Sequence, residues 1–156
     1  MVLGQDASFT LDSFIQKYNS DLANDYGNLA NRVLTLINKN FDGKIPKTFV
    51  CNADDLELIN HAKEIPNQII NDYNNMQIHK AIELIMQLLR SVNKYLEIKA
   101  PWKLLKSKNT KDIEDASTTL NVSAQVLKKI QDFSFFSRGG NRERRVRGSE
   151  EEIRCG

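Results

Sequence analysis

Apolar and polar positions alternate along this chain with the period of an α-helix. Segment 18–41 carries apolar side chains at steps of three or four residues: Tyr18, Leu22, Tyr26, Leu29, Val33 and Leu36. This spacing places them along one stripe of a helix, which a folded protein buries. Thr10 is the predicted N-cap of a preceding helical stretch. The sequence leaves open whether the two stretches form one continuous helix.

The same period predicts three further helices. The second runs from Asp54 to Asn75, and Pro66 predicts a kink or a break in it. The third, residues 78–99, is the most apolar and is expected at the centre of a bundle. The fourth covers residues 110–133. Their expected core positions include Leu56, Ile59, Ile82, Leu89, Ile113 and Leu120.

Glycine and proline separate these segments and define the predicted architecture. The run Phe41–Pro46 contains both residue types and is a strong helix stop, and Pro101 ends the third helix. We therefore predict an all-α helical bundle of about four to five helices. The predicted organisation is a leading segment at 1–9, a helical domain at 10–133 and a charged, disordered tail at 134–156.

Charge adds a constraint on what the helical domain can bind. The whole chain has 22 basic and 20 acidic residues, a formal net charge of +2. Six arginines and four glutamates lie from residue 138 onward, so residues 1–137 hold 16 of each sign. A bulk electrostatic nucleic-acid binder needs a larger positive excess. If the domain binds RNA, a few specific side chains must recognise the bases. No DNA partner is expected.

Other features exclude further classes of site. No apolar run approaches the ~20 residues that span a bilayer, and residues 1–10 do not have the pattern of a signal peptide. We therefore expect a cytoplasmic protein without a membrane partner. Cys51, Cys155, His61 and His79 are scattered and have no metal-ligand spacing. No metal site is predicted.

A second, polar stripe on segment 18–41 is the main candidate for function. Asn24, Asn28 and Arg32 follow each other at four-residue steps, so they stack along one side of the helix. Asparagine is a poor helix former and does not stabilise the middle of a helix. Carboxamides and guanidinium groups do recognise base edges through paired donors and acceptors. The alternative is an ordinary solvated helix face.

These residues belong to a longer resemblance. Residues 11–46, with Lys-Ala-Pro-Trp-Lys-Leu-Leu-Lys around Trp102, resemble the anticodon-binding domain of bacterial-type methionyl-tRNA synthetases, over roughly residues 2–130. In that family one helix carries an Asn-x-x-x-Asn-x-x-x-Arg row, and a distant Ala-Pro-Trp supplies an aromatic platform. The resemblance implies that Asn24, Asn28, Arg32 and Trp102 contact the anticodon. Pro101 would form the structural turn before the stacking tryptophan.

The resemblance also implies that the chain binds a tRNA and that catalysis takes place on a separate domain. The expected role is recognition of the CAU anticodon loop of methionine tRNA as part of an ATP-dependent methionine–tRNA ligase. The family's His-Ile-Gly-His-like and Lys-Met-Ser-Lys-Ser motifs are missing from this sequence. ATP and methionine would bind a missing catalytic domain, so we expect no cofactor in this chain and no activity of the chain alone. The alternatives are a helical anticodon-binding domain of another class I synthetase, or a protein-interaction module without RNA function.

Overall fold

The computed structural model describes residues 3–134, and these residues contain only helices and their connections. The elements in chain order are α1 Leu3–Phe41, α2 Ala53–Asn74, α3 Ile78–Lys99, α4 Pro101–Leu104 and α5 Thr110–Ser134. The predicted all-α class and the number of helices are confirmed. The predicted tail at 134–156 lies outside the described residues, except for Ser134 at the end of α5.

Helix α1 is one unbroken element of 39 residues. It buries Leu22, Leu29, Val33 and Ile37 along one stripe, as the apolar period predicts. The prediction of Thr10 as an N-cap is wrong, because residues 3–9 are already helical and Thr10 lies inside α1. No proline interrupts residues 1–41, so nothing in the chain forces a stop before the turn that follows Phe41. The role of residues 1–9 as a connecting segment stays a prediction.

Helices α3 and α5 lie at the centre of the core, because each packs against at least three other helices. Helix α3 packs against α1, α2 and α5, in the central position predicted for it. Helix α2 continues through Pro66, so the predicted break does not occur. Leu56 and Ile113 are 47 % and 38 % exposed, so their predicted inward orientation is wrong. Each lies near the beginning of its helix, before the first buried apolar residues of that element.

Two corners reverse the chain. After α1, Gly43 adopts a φ of +74°, a conformation that favours glycine, and the predicted helix stop is confirmed. After α3, Ala100 has φ 44° and ψ 61°, and its N–H donates to the Leu96 carbonyl at 2.8 Å. This left-handed residue ends α3, and Pro101 starts α4 as its first residue. Trp102 is consequently held directly beyond the corner.

None of the helices in the described range, residues 3–134, is long and apolar enough to cross a membrane. Within the same range, no group of three or more histidine, cysteine, aspartate or glutamate side chains is arranged to hold a metal ion.

Candidate nucleic-acid interface

Arg32 joins three helices at the surface of the bundle. Its guanidinium carbon lies 5.4 Å from the centroid of the Trp102 ring, which places a cation over an aromatic face. Its Nη1 also donates a hydrogen bond to Oδ1 of Asn93 at 3.3 Å. Arg32 belongs to α1, Asn93 to α3 and Trp102 to α4. Two of the predicted site residues, 70 positions apart in the sequence, are therefore in contact.

Trp102 lies at the boundary between the hydrophobic core and the surface. The side chain is half-buried and packs against the hydrophobic core, and Pro101 beside it is buried. Arg32, in contrast, is exposed. The cation–π interaction between Arg32 and Trp102 contributes ~0.5–1 kcal/mol at an exposed site. This is enough to bias the guanidinium toward the ring and weak enough for a ligand to displace it.

A groove of about 310 Å³ runs beside Arg32 between α1 and α3. This volume is at the lower end of the ~300–1,000 Å³ that is usual for small-ligand clefts. Leu29 and Leu89 supply apolar surface, while Asn28 and Asn93 supply carboxamide groups from opposite helices. The other lining residues are charged: Asp25, Arg32, Arg90, Lys94 and Glu97.

The three residues of the predicted polar row, Asn24, Asn28 and Arg32, do not all line the groove. Asn28 and Arg32 line the groove, which confirms that they share one face of α1. Asn24 is exposed one turn earlier on α1 and is not part of the lining formed by the described residues. A ligand that reaches Asn24 must extend beyond the groove along α1. The contact assigned to Asn24 stays a prediction.

The α3 side of the site, with Asn93 and Glu97, was not predicted from the sequence. The Asn93 carboxamide accepts from Arg32 and donates from Nδ2 to Glu97 Oε1 at 3.4 Å, so its amide orientation is held from both ends. Asn93 and Glu97 lie four residues apart on an exposed face, which is a detectable pattern. Nothing in that pattern indicates that this face looks toward α1, because the pairing of α1 with α3 is a tertiary contact.

The groove is electrostatically mixed. Three cationic side chains, Arg32, Arg90 and Lys94, are opposed by the two carboxylates Asp25 and Glu97. Such a surface discourages indiscriminate binding of phosphate chains while it still offers several hydrogen-bond donors. It is suited to a polar group that forms several hydrogen bonds. Trp102 is not among the described residues that line the groove, and it adjoins the groove through its contact with Arg32.

Comparison with known proteins bears on the fold and the family. The family described as "tRNA synthetases class I (M)" matches residues 1–34, a segment that includes Asn24, Asn28 and Arg32. The free form of the methionyl-tRNA synthetase of Mycobacterium tuberculosis has the same fold: the TM-score is 0.76 at 27 % identity, over 91 % of this chain and 31 % of that one. The described fold is therefore that of a helical domain of a class I aminoacyl-tRNA synthetase.

Relatives found by sequence indicate one class of synthetase, the methionine–tRNA ligases. The methionine–tRNA ligase of Metallosphaera sedula is 37 % identical over 81 % of this chain. That of Clostridium acetobutylicum is 40 % identical over 69 % of it. This chain is homologous to the methionine–tRNA ligases, as the two sequence motifs predict. It spans 22 % and 17 % of the length of these two relatives.

Proposed function

We propose that this chain recognises the CAU anticodon loop of methionine tRNA and acts as the anticodon-binding part of a methionine–tRNA ligase. The observation that carries the proposal is the contact of Arg32 with Trp102 at the groove that Asn28 also lines. It brings the aromatic side chain of Trp102 from α4 together with a guanidinium and a carboxamide that both come from α1.

The chemistry of these groups fits an unpaired base. A base that is unstacked from its loop can stack on an aromatic side chain while its Watson–Crick edge faces hydrogen-bonding groups. In the proposed complex the wobble cytosine stacks on Trp102. The guanidinium of Arg32 donates to the acceptor atoms of a base edge, and the carboxamide of Asn28 both donates and accepts. Asn24 contacts a neighbouring anticodon base farther along α1.

The charge distribution supports recognition of the bases by a few specific side chains rather than general attraction to phosphate. The groove presents three cations against two carboxylates, so phosphate attraction contributes little there. Affinity and selectivity must then come from stacking and from hydrogen bonds to base edges. In the proposed ligase, a catalytic domain that binds ATP and methionine is the second partner, and the anticodon contact orients the tRNA toward it.

The test is a titration of the chain with RNA stem-loops. We expect a loop with the anticodon CAU to bind more tightly than the otherwise identical loop with UAU, because only the wobble base differs. Trp102 is the only tryptophan, so its fluorescence reports binding at the proposed platform. Equal affinity for both loops would contradict the proposed function.

A further inference from the structure

A polar cluster lies behind the corner that carries Trp102. Lys99, the last residue of α3, donates from Nζ to Oδ1 of Asn52 at 2.6 Å. The same Nζ lies 3.5 Å from Oδ1 of Asp55 and 3.9 Å from Oδ2 of Asp54. The Tyr95 hydroxyl donates to Asp55. These five residues, here called the Lys99 cluster, connect the end of α3 to the beginning of α2.

The geometry makes this connection stiff. Asp55 is 2 % exposed, and Oδ2 of its carboxylate accepts the backbone N–H of Asn52 at 2.9 Å. A buried carboxylate needs such partners, because an uncompensated buried charge is costly. Burial, with help from the Asp55 carboxylate, raises the pKa of Tyr95 well above its ordinary value, so its hydroxyl remains a donor. The carboxylates lie at the N-terminus of α2 and the ammonium at the C-terminus of α3, where the helix dipoles favour them.

Ala100, the residue after Lys99, has an unfavourable backbone conformation. Ala100 is left-handed at φ 44°, which disfavours any residue with a Cβ and persists only where the surroundings hold it. Trp102 follows two residues later as the second residue of α4. A small change in the direction of the last turn of α3 therefore moves the indole relative to Arg32.

We propose that Lys99 is a positioning residue for Trp102: by joining the last turn of α3 to Asn52 and Asp55, it sets the orientation of the indole relative to Arg32. Lys99 touches no base in this proposal and acts through the corner at Ala100. The positional effect is independent of RNA, whereas its consequence for binding rests on the function proposed above.

The first test uses fluorescence of Trp102 without RNA. Lys99→Met keeps the alkyl chain and removes the donors, and Asn52→Ala removes the acceptor of its shortest bond. We expect both variants to shift the Trp102 emission maximum and to raise the rate of quenching by iodide, measured well below the melting temperature. Lys99→Arg should restore most of the wild-type signal. The matched control is Lys80→Met, which changes an exposed lysine in the first turn of α3.

A purely stabilising role predicts a different result. In that case Lys99→Met would lower the melting temperature but leave the emission and quenching of the folded protein at their wild-type values. That outcome, seen also for Asn52→Ala, would overturn the proposal.

The second test separates this inference from the proposed function. We expect Lys99→Met to weaken binding of the CAU stem-loop roughly three- to tenfold, part of the value of one stacked base. Lys80→Met should bind as the wild type does. If the wild-type chain does not distinguish CAU from UAU, the proposed function fails, while the fluorescence result still decides whether Lys99 positions Trp102. If the wild type discriminates and Lys99→Met binds equally well, the proposed consequence of this positioning for RNA binding is wrong.

Discussion

The contact between Arg32 and Trp102 yields a sharp prediction, because each residue can be changed with its partner present or absent. The changes are Trp102→Ala, which removes the platform, and Arg32→Lys, which keeps the positive charge but loses the planar fork. In the free protein the guanidinium lies 5.4 Å from the ring centroid and donates to Asn93 at 3.3 Å. A lysine ammonium cannot reproduce this two-sided arrangement.

The expected magnitudes follow from these contacts. A base stacked on Trp102 is worth ~1–3 kcal/mol, so Trp102→Ala should weaken binding of the CAU stem-loop roughly 5- to 150-fold. Trp102→Phe should recover part of the loss, because a smaller aromatic face remains. Arg32→Lys should cost about 1–3 kcal/mol if the guanidinium pairs with a base edge in the complex. The two costs should not add, because the two side chains contact each other.

The assay is a double-mutant cycle by stem-loop titration, with circular dichroism of each variant as a check on folding. Both CAU and UAU loops are titrated, and anisotropy of a labelled loop is the readout because Trp102 is itself changed. Arg90→Lys is the matched control, since Arg90 lines the same groove from α3. No base contact is assigned to Arg90 in the proposed complex, and lysine keeps its positive charge, so we expect little change there.

Three outcomes would refute the reasoning. Wild-type affinity in Arg32→Lys would mean that Arg32 acts only as a charge. Wild-type affinity for the CAU loop in Trp102→Ala would mean that the ring does not stack on the wobble base. Additive costs in the double variant would show that the Arg32–Trp102 contact is energetically irrelevant to binding.

Two further predictions concern stability, measured as free energies of unfolding in urea. Leu88 is 0 % exposed in the core, so Leu88→Ala should cost about 2–5 kcal/mol through lost burial and a residual cavity. Ile98→Ala, at a position 61 % exposed, should change stability by less than about 0.5 kcal/mol; similar costs at both sites would contradict the described core. Gly27→Ala should stabilise α1 by ~0.5–1 kcal/mol, since no heavy atom lies within 4 Å of the added Cβ. A loss of stability there would argue against an unbroken α1.

The sequence alone determined the helices and the α1 side of the site. Helical periodicity is a local property, so the bounds of α3 and the stop at Ala100–Pro101 followed from the order of residues. The four-residue spacing of Asn28 and Arg32 likewise placed them on one face before any fold was known. Local periodicity was least informative near helix ends. There it left Thr10 as a false N-cap and Leu56 as a false core residue.

Only the tertiary structure decided which surfaces meet. Arg32 and Asn93 are 61 residues apart, and their hydrogen bond exists because α1 packs beside α3. The burial of Asp55 beneath Tyr95 and Lys99 is equally non-local, since a first-turn aspartate is ordinarily solvated. Such pairings depend on the packing of whole helix faces, which a periodic pattern leaves free to rotate and slide. The sequence therefore contains the groups of the site, and their distances and angles arise only when the core is packed.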